Sequence, residues 1–397
     1  METSDAFGGL ECLECGEHVT AERSTTRCPS CEGPLDPVYD LGEIDVDDGV
    51  LEGDSTAGVW RFHDVLPFQP DAAVSIAEGA TPLVSAPTLA DEFGVDRVLI
   101  KDESRNPTGS VHDRGSSVAV TAALRTGAET VTLPSTGNGG QSVSAYAGMA
   151  GLESEVYVPS RAGFTTKAMI NVHGGEMNVI EGRMDDAIAA FRDDLDRSAG
   201  KHSLRAFDTP YRHEGMKTLF YEIAADLDWT SPDAIVTATG TGLALTGMAK
   251  AVEEGRSLGI VEERPRLFGA QAEGCAPIAR AFDEGRDAHE PWQRPDTICG
   301  EIEIPDPPAI GPVLDALRTT DGGAIATDDE TILEAGVDVA QSVGVEFSPS
   351  AAAAVSGAAR LAERGEFDGR DTVVIVNTAA GNKESDVLRS HLMRKGI

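Results

Sequence analysis

The sequence is poor in positive charge, in aromatic side chains and in long apolar runs. Asp and Glu outnumber Lys and Arg by 67 to 32 in a chain of 397 residues, which gives a formal net charge of −35. Such a charge repels nucleic acid and anionic membrane surfaces. No stretch of the chain is long and apolar enough to span a bilayer. We therefore expect neither a nucleic-acid partner nor a membrane partner.

The acidic residues are spread along the chain and are not gathered in one tail. One interpretation is an adaptation of solubility to high salt, where counterions screen the repulsion between like charges. The other is a specific acidic site for a partner. The first five residues, METSD, are acidic, and no apolar stretch typical of a signal peptide follows them. On this basis we expect a cytoplasmic protein.

Cysteine is also scarce, and four of the six cysteines form two C-x-x-C pairs: Cys12 with Cys15, and Cys28 with Cys31. Both pairs lie beside turn residues. Four thiolates from two such pairs suit a tetrahedral structural zinc site in which sulfur fills every ligand position. A redox or vestigial role is the alternative, and disulfides are less expected in a cytoplasmic protein. The two isolated cysteines, Cys275 and Cys299, are expected to be buried thiols.

Apolar, β-rich runs alternate with segments of helical length along most of the chain. The candidate strands are 98–100, Thr130–Leu133, Glu155–Val158, Met177–Ile180, Ala234–Val236, Arg266–Ala270 and Thr372–Val376. The alternation predicts an α/β protein with βαβ units and parallel sheets that are covered on both faces. An acidic stretch from Leu41 to Gly58 interrupts the pattern, and we interpret it as a linker.

The stretch Lys101–Gly115, KDESRNPTGSVHDRG, connects a predicted strand to a predicted helix over Val111–Arg125. Its N-P-T-G segment has turn chemistry, because proline fixes φ and glycine permits a positive φ. Ser110 is a suitable N-cap, and Asp113 follows three residues later, as in a capping box. The pattern predicts a tight loop that presents His112 in the first helical turn.

This stretch resembles the active-site segment of threonine synthases, within the β-type family of pyridoxal-phosphate (PLP) lyases and dehydratases, which reads N-P-T-G-S-F-K-D-R-G. Val111 and His112 stand where the family has Phe and the Lys that forms a Schiff base with PLP. Further matches are A-T-P-L-V at 80–84, P-Y-R-x-E-G-x-K-T at 210–218 and Q-A-E-G-C-A-P-I at 271–278. The resemblance implies the two-lobed α/β fold of PLP fold type II, which is tryptophan synthase β-like and has parallel-rich sheets.

Composition and resemblance together predict the domain organisation. The segments are a zinc ribbon at 1–40, an acidic linker at 41–59, a large lobe from 60–112 and 211–397, and a small lobe at 113–210. Threonine-synthase-like proteins often carry such a ribbon. The site is expected in the cleft between the lobes.

The resemblance also implies ligand contacts for the segment Ser135-Thr136-Gly137-Asn138. In the family this loop holds the substrate carboxylate through backbone N–H groups, and its Asn meets the ring hydroxyl of PLP. The physical basis is that the N-terminus of a helix favours an anion. The alternative is a plain turn between a strand and a helix. Gly139, Gly140 and Gln141, which follow, depart from the small apolar residues of the family.

Two more segments match cofactor contacts of the family. Gly240-Thr241-Gly242 takes the place of its phosphate loop, where glycines leave backbone N–H groups open to a phosphate. Leu243 and Ala244 replace a Gly and an Asn there, and a branched side chain at this point can obstruct the phosphate. Thr378 ends a predicted strand, where the family has a Thr or Ser that bonds the pyridine nitrogen.

His112 decides the functional hypothesis. Imidazole cannot form the imine that a lysine forms, although it can act as a base because its pKa lies near neutrality. Replacement of the missing amine by Lys101, Lys217 or Lys383 would need a rebuilt site. The favoured hypothesis is a threonine synthase-like protein that cannot form the internal aldimine, and so a non-catalytic or re-specialised homologue.

The alternative hypothesis is an active PLP-dependent threonine synthase, which converts O-phospho-L-homoserine to L-threonine, or a related amino-acid lyase. In either case the resemblance implies PLP, bound non-covalently in the favoured case, and a small amino-acid or phosphorylated amino-acid ligand. A homodimer, or a hetero-oligomer with an active relative, is the expected assembly.

Overall fold

The computed structural model describes residues 3–21, 26–46, 55–198 and 200–395. Its strands are β1 (Phe7–Cys12), β2 (His18–Val19), β3 (Leu35–Tyr39), β4 (Leu83–Ser85), β5 (Arg97–Asp102), β6 (Thr130–Pro134), β7 (Glu153–Pro159), β8 (Glu176–Ile180), β9 (Lys201–Ser203), β10 (Ala234–Ala238), β11 (Arg266–Ala272), β12 (Gly323–Thr327) and β13 (Thr372–Asn377).

The α-helices of these residues are α1 (Pro87–Phe93), α2 (His112–Arg125), α3 (Asn138–Ala150), α4 (Phe164–Val172), α5 (Met184–Arg197), α6 (Tyr211–Asp226), α7 (Leu243–Ser257), α8 (Pro277–Asp283), α9 (Ile310–Thr319), α10 (Asp329–Val343), α11 (Pro349–Glu363) and α12 (Ser385–Arg394). Short 3-10 helices include Leu41–Glu43, Ser55–Val65, Pro70–Ala72, Glu103–Arg105, Gly300–Ile302 and Gly381–Glu384. Within the described ranges, no helix combines the length and the apolar character needed to cross a membrane.

The larger of the two central sheets has the strand order β12-β11-β10-β13-β5-β4. Its strands pair in parallel, except that β4 runs antiparallel to β5 at the edge. Alternate residues of β13 pack on opposite faces of the sheet, each of which is covered by its own apolar cluster. Val374 and Val376 belong to one cluster, and Val373 and Ile375 belong to the second. This explains why the strand is a continuous apolar run, since both faces of the sheet are covered.

The smaller sheet has the order β8-β7-β6-β9, and all of its pairs are parallel. Helices α2 and α3 pack against each other beside it, and both contribute to one apolar cluster with β6 and β7. The strands of this sheet fall within the predicted small lobe, 113–210. The boundaries of the two lobes stay a prediction.

A three-stranded antiparallel sheet, β2-β1-β3, forms the N-terminal unit. It is joined to the rest of the chain by ionic contacts: Asp36 in β3 accepts from Lys250 Nζ at 2.9 Å and lies 2.7 Å from His213 Nε2. Of the predicted linker, Leu41–Gly58, residues 47–54 lie outside the described residues.

The predicted candidate strands are all confirmed, with ends that differ by up to two residues. Three further strands of the central sheets were not predicted. β12 has only one large apolar residue, Ile325, and β9 has the polar sequence Lys-His-Ser, so neither carries a run of large apolar residues, and β4 is only three residues long.

Candidate functional site

One cavity is lined by nearly all of the site residues that were predicted from the sequence. It lies where β6, β10 and β13 end and where α2, α3 and α7 begin. The predicted site residues on its wall are His112, Ser135, Thr136, Asn138, Gly240, Thr241, Gly242 and Thr378. Gly137 lies between two of these wall residues. The cavity therefore sits at the carboxyl ends of parallel strands, which is where α/β proteins usually bind ligands.

His112 is the first residue of α2. Its Nδ1 lies 3.2 Å from Arg212 Nη2, and since a guanidinium can only donate, Nδ1 is the acceptor. Burial, together with the charges of Arg212 and Lys383, lowers the pKa of His112 to about 3. The imidazole is therefore neutral near pH 7, with its proton on Nε2.

The capping box that the sequence predicted at the start of α2 is wrong. Ser110 Oγ is buried without a hydrogen-bond partner, and Val111 caps the helix without a side-chain bond. The Asp113 carboxylate instead accepts from the Thr108 N–H at 2.7 Å, from Thr108 Oγ1 at 2.6 Å and from Ser142 Oγ at 2.6 Å. Asp113 thus ties the turn before α2 to helix α3.

The loop before α3 is held by its own side chains and by Glu301. Ser135 Oγ accepts from the N–H groups of Gly137 at 3.0 Å and Gly140 at 2.8 Å. The Asn138 N–H donates to the Glu301 carboxylate at 3.1 Å, and Thr136 Oγ1 donates to it at 3.3 Å. Asn138 Oδ1 is buried and has no partner. Glu301 was not predicted as a site residue, because it lies far along the chain from this loop.

The predicted phosphate loop leads into α7, which begins at Leu243 and has no side-chain cap. Gly242 has a φ of +87°, and a Cβ at this position would lie 2.2 Å from Val313 Cγ2, so packing and backbone conformation both require glycine. Leu243 belongs to the apolar cluster that contains Val313. Thr378 directly follows β13 and lines the same cavity.

Two arginines on the wall were not predicted as site residues. Arg212 is 4% exposed, and it donates to the Leu204 carbonyl at 3.1 Å and to His112. Its Nε has no partner, and no carboxylate of the described chain pairs with it. Burial lowers its pKa to about 10. Arg205 also lines the cavity, and its nearest carboxylate is that of Asp208 at 3.4 Å.

The lysines considered as replacement amines have other contacts. Lys101 Nζ is buried between the carboxylates of Glu222 at 2.7 Å and Asp226 at 2.8 Å. Lys217 pairs with the carboxylates of Glu214 and Glu254. Lys383 Nζ donates to Gln141 Oε1 at 2.6 Å and lines a second cavity, beside the first. Lysine is therefore missing from the described wall of the main cavity.

The four N-terminal cysteines converge on one point. The Sγ atoms of Cys12, Cys15, Cys28 and Cys31 all lie within 4.8 Å of one another. Tetrahedral coordination with Zn–S bonds of about 2.3 Å requires sulfur atoms about 3.8 Å apart. The observed separations include 3.4 Å for Cys12 to Cys31 and 3.7 Å for Cys15 to Cys28, so the cluster fits such an ion. Cys275 and Cys299 are buried free thiols, as predicted.

Comparison with known sequences identifies the family. The profile described as "Pyridoxal-phosphate dependent enzyme" matches residues 74–379. The chain belongs to this family. It is 36% identical to a threonine synthase of Methanosarcina acetivorans, over 93% of this chain and 90% of that one. It is 33% identical to a threonine synthase of Methanocaldococcus jannaschii, over 94% of this chain and 93% of that one.

Solved structures of the same fold agree. A fungal L-serine ammonia-lyase from Rhizomucor miehei superposes with a TM-score of 0.68 at 20% identity, over 79% of this chain and 98% of that one. Maize serine racemase gives a TM-score of 0.66 at 18% identity, over 80% of this chain and 93% of that one. These likenesses confirm the predicted α/β fold of PLP fold type II.

The donor groups of the cavity fit the phosphate and the ring of PLP. An uncapped helix N-terminus at Leu243 offers N–H groups suited to a phosphate. Asn138 Oδ1 is a buried polar atom without a partner, and Thr378 carries a hydroxyl on the same wall. The imidazole of His112 does not supply a primary amine. The donor set therefore suits the cofactor of the family, but position 112 provides no lysine to hold it covalently.

Proposed function

We propose that this chain is a threonine synthase-like protein that binds PLP non-covalently and an anionic amino-acid-derived ligand in the cleft. In this proposal it does not attach the cofactor through a lysine, so it is a re-specialised or non-catalytic member of its family. The observation that carries the proposal is the half-buried, neutral imidazole of His112 in the first turn of α2, on a wall whose described residues include no lysine.

The cofactor contacts of the proposal follow from the wall of the cavity. The N-terminal turn of α7 would hold the phosphate, with Gly240 and Thr241 beside it. Thr378 would face the ring nitrogen and Asn138 the ring hydroxyl. A bound PLP supplies an electron-withdrawing ring that stabilises negative charge on the α-carbon of an attached amino acid.

The ligand is proposed to be anionic because one buried cationic side chain of the cavity, that of Arg212, is not paired with any carboxylate of the described chain. Arg212 is buried and lacks a carboxylate partner, whereas Arg114, which is equally buried, pairs with Glu103 at 2.7 Å and with Glu222 at 3.0 Å. A carboxylate or phosphate on the ligand would supply the anionic partner that Arg212 lacks. His112 accepts from Arg212 and so fixes the orientation of its guanidinium.

Equilibrium dialysis against PLP tests the cofactor proposal. We expect saturable binding of one PLP per chain, and we expect Thr378→Val to weaken it by about threefold to tenfold, the effect of losing one hydrogen bond. Thr319→Val, at an exposed position at the end of α9, is the matched control and should bind PLP as the wild type does. Absence of saturable binding to the wild type would contradict the proposal.

The second candidate is an active threonine synthase. It is favoured by the 36% identity to the Methanosarcina acetivorans relative over nearly the whole chain. Release of inorganic phosphate from O-phospho-L-homoserine, in the presence of PLP and high salt, separates the two candidates. We expect no release above that of a heat-denatured sample. PLP-dependent turnover by the wild type would establish the second candidate instead.

We also propose that the cluster of four cysteines binds zinc and that the N-terminal unit is a zinc ribbon. The proposal rests on the convergence of the four Sγ atoms. All four positions around the ion would be filled by sulfur, so the ion would have a structural role.

A further inference from the structure

The Glu301 carboxylate lies at the N-terminus of α3, inside the cleft. Its Oε2 accepts from the Asn138 N–H at 3.1 Å and from Thr136 Oγ1 at 3.3 Å. Its Oε1 is so close to the loop that a Cβ on Gly137 would lie 2.8 Å from it. The side chain is thus seated against three consecutive residues of the loop, as a bound anion would be.

This carboxylate has no cationic partner within the described residues. No Lys, Arg or His nitrogen lies within 4.0 Å of it, whereas the buried carboxylates of Glu103 and Glu222 pair with Arg114. Burial raises the pKa of Glu301, and its bonds to Asn138 and Thr136, with the charge of Lys383, oppose that rise. The start of a helix is therefore the main group that stabilises its negative charge.

Two independent groups on the same wall lack partners and mark a place for a ligand. Among the residues that the structure describes, Asn138, which is 2% exposed, has no hydrogen bond at its Oδ1. Arg212, which is 4% exposed, has none at its Nε within the same ranges. Buried polar atoms are rarely left unpaired in folded proteins. Together they indicate that the cleft receives a polar ligand next to the loop that Glu301 occupies.

Glu301 is carried on a short segment that is attached on both sides of the cleft. The segment is the 3-10 helix Gly300–Ile302. The Glu301 N–H donates to Ser350 Oγ at 3.1 Å, at the start of α11. Two residues later, Glu303 pairs with Arg183 at 2.8 Å, at the start of α5. The side chain can therefore leave the loop by rotation while the segment stays attached.

From these contacts we infer that Glu301 is a tethered internal ligand, which fills a carboxylate site of the cleft and must be displaced before the carboxylate of an amino-acid ligand can bind there. The nature of the competing ligand rests on the proposed function, but the occupation of the site does not. Glu301 would thus control whether the carboxylate of a ligand can bind at the start of α3.

Acetate is the fragment that Glu301→Ala removes, so it can refill the site in that variant. We expect acetate to raise the thermal midpoint of Glu301→Ala by about 2 °C or more, by binding to the folded state. Acetamide, and sodium chloride at the same ionic strength, should not do so. The wild type, whose site is filled, should not respond to acetate. Neither should Glu303→Ala, which removes a carboxylate from the same segment but not from the loop.

An equal response of Glu301→Ala to acetate and acetamide, or no response to either, would overturn the inference, since the loop would then not be a carboxylate site. A response of Glu303→Ala equal to that of Glu301→Ala would also overturn it. Such a result would show that acetate acts on a loosened segment and not on the site of one side chain.

A pair of ligands then tests displacement. L-Threonine and 1-amino-2-propanol differ by one carboxylate. We expect Glu301→Ala to bind L-threonine at least about tenfold more tightly than the wild type, and we expect no gain for 1-amino-2-propanol. If acetate fills the variant but L-threonine binds neither form, the ligand class of the proposed function is wrong and the role of Glu301 stands. If L-threonine binds both forms equally, displacement is refuted.

Discussion

At position 112 the chain places an imidazole beside the guanidinium of Arg212, and among the described residues no carboxylate lies within 4.0 Å of either group. The chemistry available there follows from this pair. A neutral imidazole can accept a proton or a hydrogen bond, but it cannot form the imine that a primary amine forms. The guanidinium keeps its charge and favours an anion. Both properties favour binding of an anionic ligand over covalent attachment of a cofactor.

The lowered pKa of His112 predicts a loss of stability in acid. Its ordinary pKa of 6.5 falls to about 3 in the folded chain. Between these values the unfolded chain takes up a proton that the folded chain does not, so stability is lost as the pH falls below about 6.5. From about pH 7 to about pH 5 this one group should cost about 2 kcal/mol of unfolding free energy.

Denaturant titrations of His112→Gln at the two pH values measure this contribution. The variant should lose about 2 kcal/mol less than the wild type on acidification. His18→Gln is the control, because His18 is exposed at the surface beside Glu11. An equal acid sensitivity of wild type and His112→Gln would show that the imidazole is not held neutral in the fold.

Single residues also show where sequence reasoning fails. Ser110 and Asp113 have the spacing of a capping box, but Asp113 bonds to Thr108 and to Ser142 in the next helix, and such a partner cannot be read from local spacing. Glu301 reaches the start of α3 only because the chain folds back over the cleft. His112 could be singled out because a family motif surrounds it.

Among the elements, strands with continuous apolar runs were predictable, whereas β4, β9 and β12 were not. β10 and β13 are buried along their whole length and appear in the sequence as apolar runs. β12 and β9 pair with a neighbour through backbone bonds, although β12 has only one large apolar residue, Ile325, and β9 is polar. These two strands are therefore determined by pairing with a neighbouring strand and not by the local β propensity of their residues.

The two cysteine pairs of the N-terminal unit are the element with the clearest test. We expect one zinc per chain in protein prepared without chelator, because the four Sγ atoms fit one tetrahedral ion. Cys28→Ser should lose the metal, whereas Cys275→Ser, which changes an isolated buried thiol, should keep it. Metal analysis by mass spectrometry measures both. Four freely titratable thiols in zinc-free wild type would contradict the prediction.

For the whole molecule, the net charge of −35 governs the response to salt. Like charges repel over distances up to the Debye length, which is about 10 Å at 0.1 M ionic strength and about 3 Å at 1 M. We expect the thermal midpoint to rise as sodium chloride increases from about 0.1 M to multimolar concentration. Scanning calorimetry across this range measures the effect, and a constant midpoint would show that self-repulsion does not limit stability.

The fold is that of the pyridoxal-phosphate dependent enzyme family, and our main conclusion is that position 112 offers no amine to hold the cofactor. Incubation with near-stoichiometric PLP, reduction with borohydride and peptide mass spectrometry test it most directly. We expect that no lysine of the wild type reaches near-stoichiometric labelling, and that His112→Lys becomes labelled at position 112. Near-stoichiometric labelling of Lys383, or of any other lysine in the wild type, would contradict it.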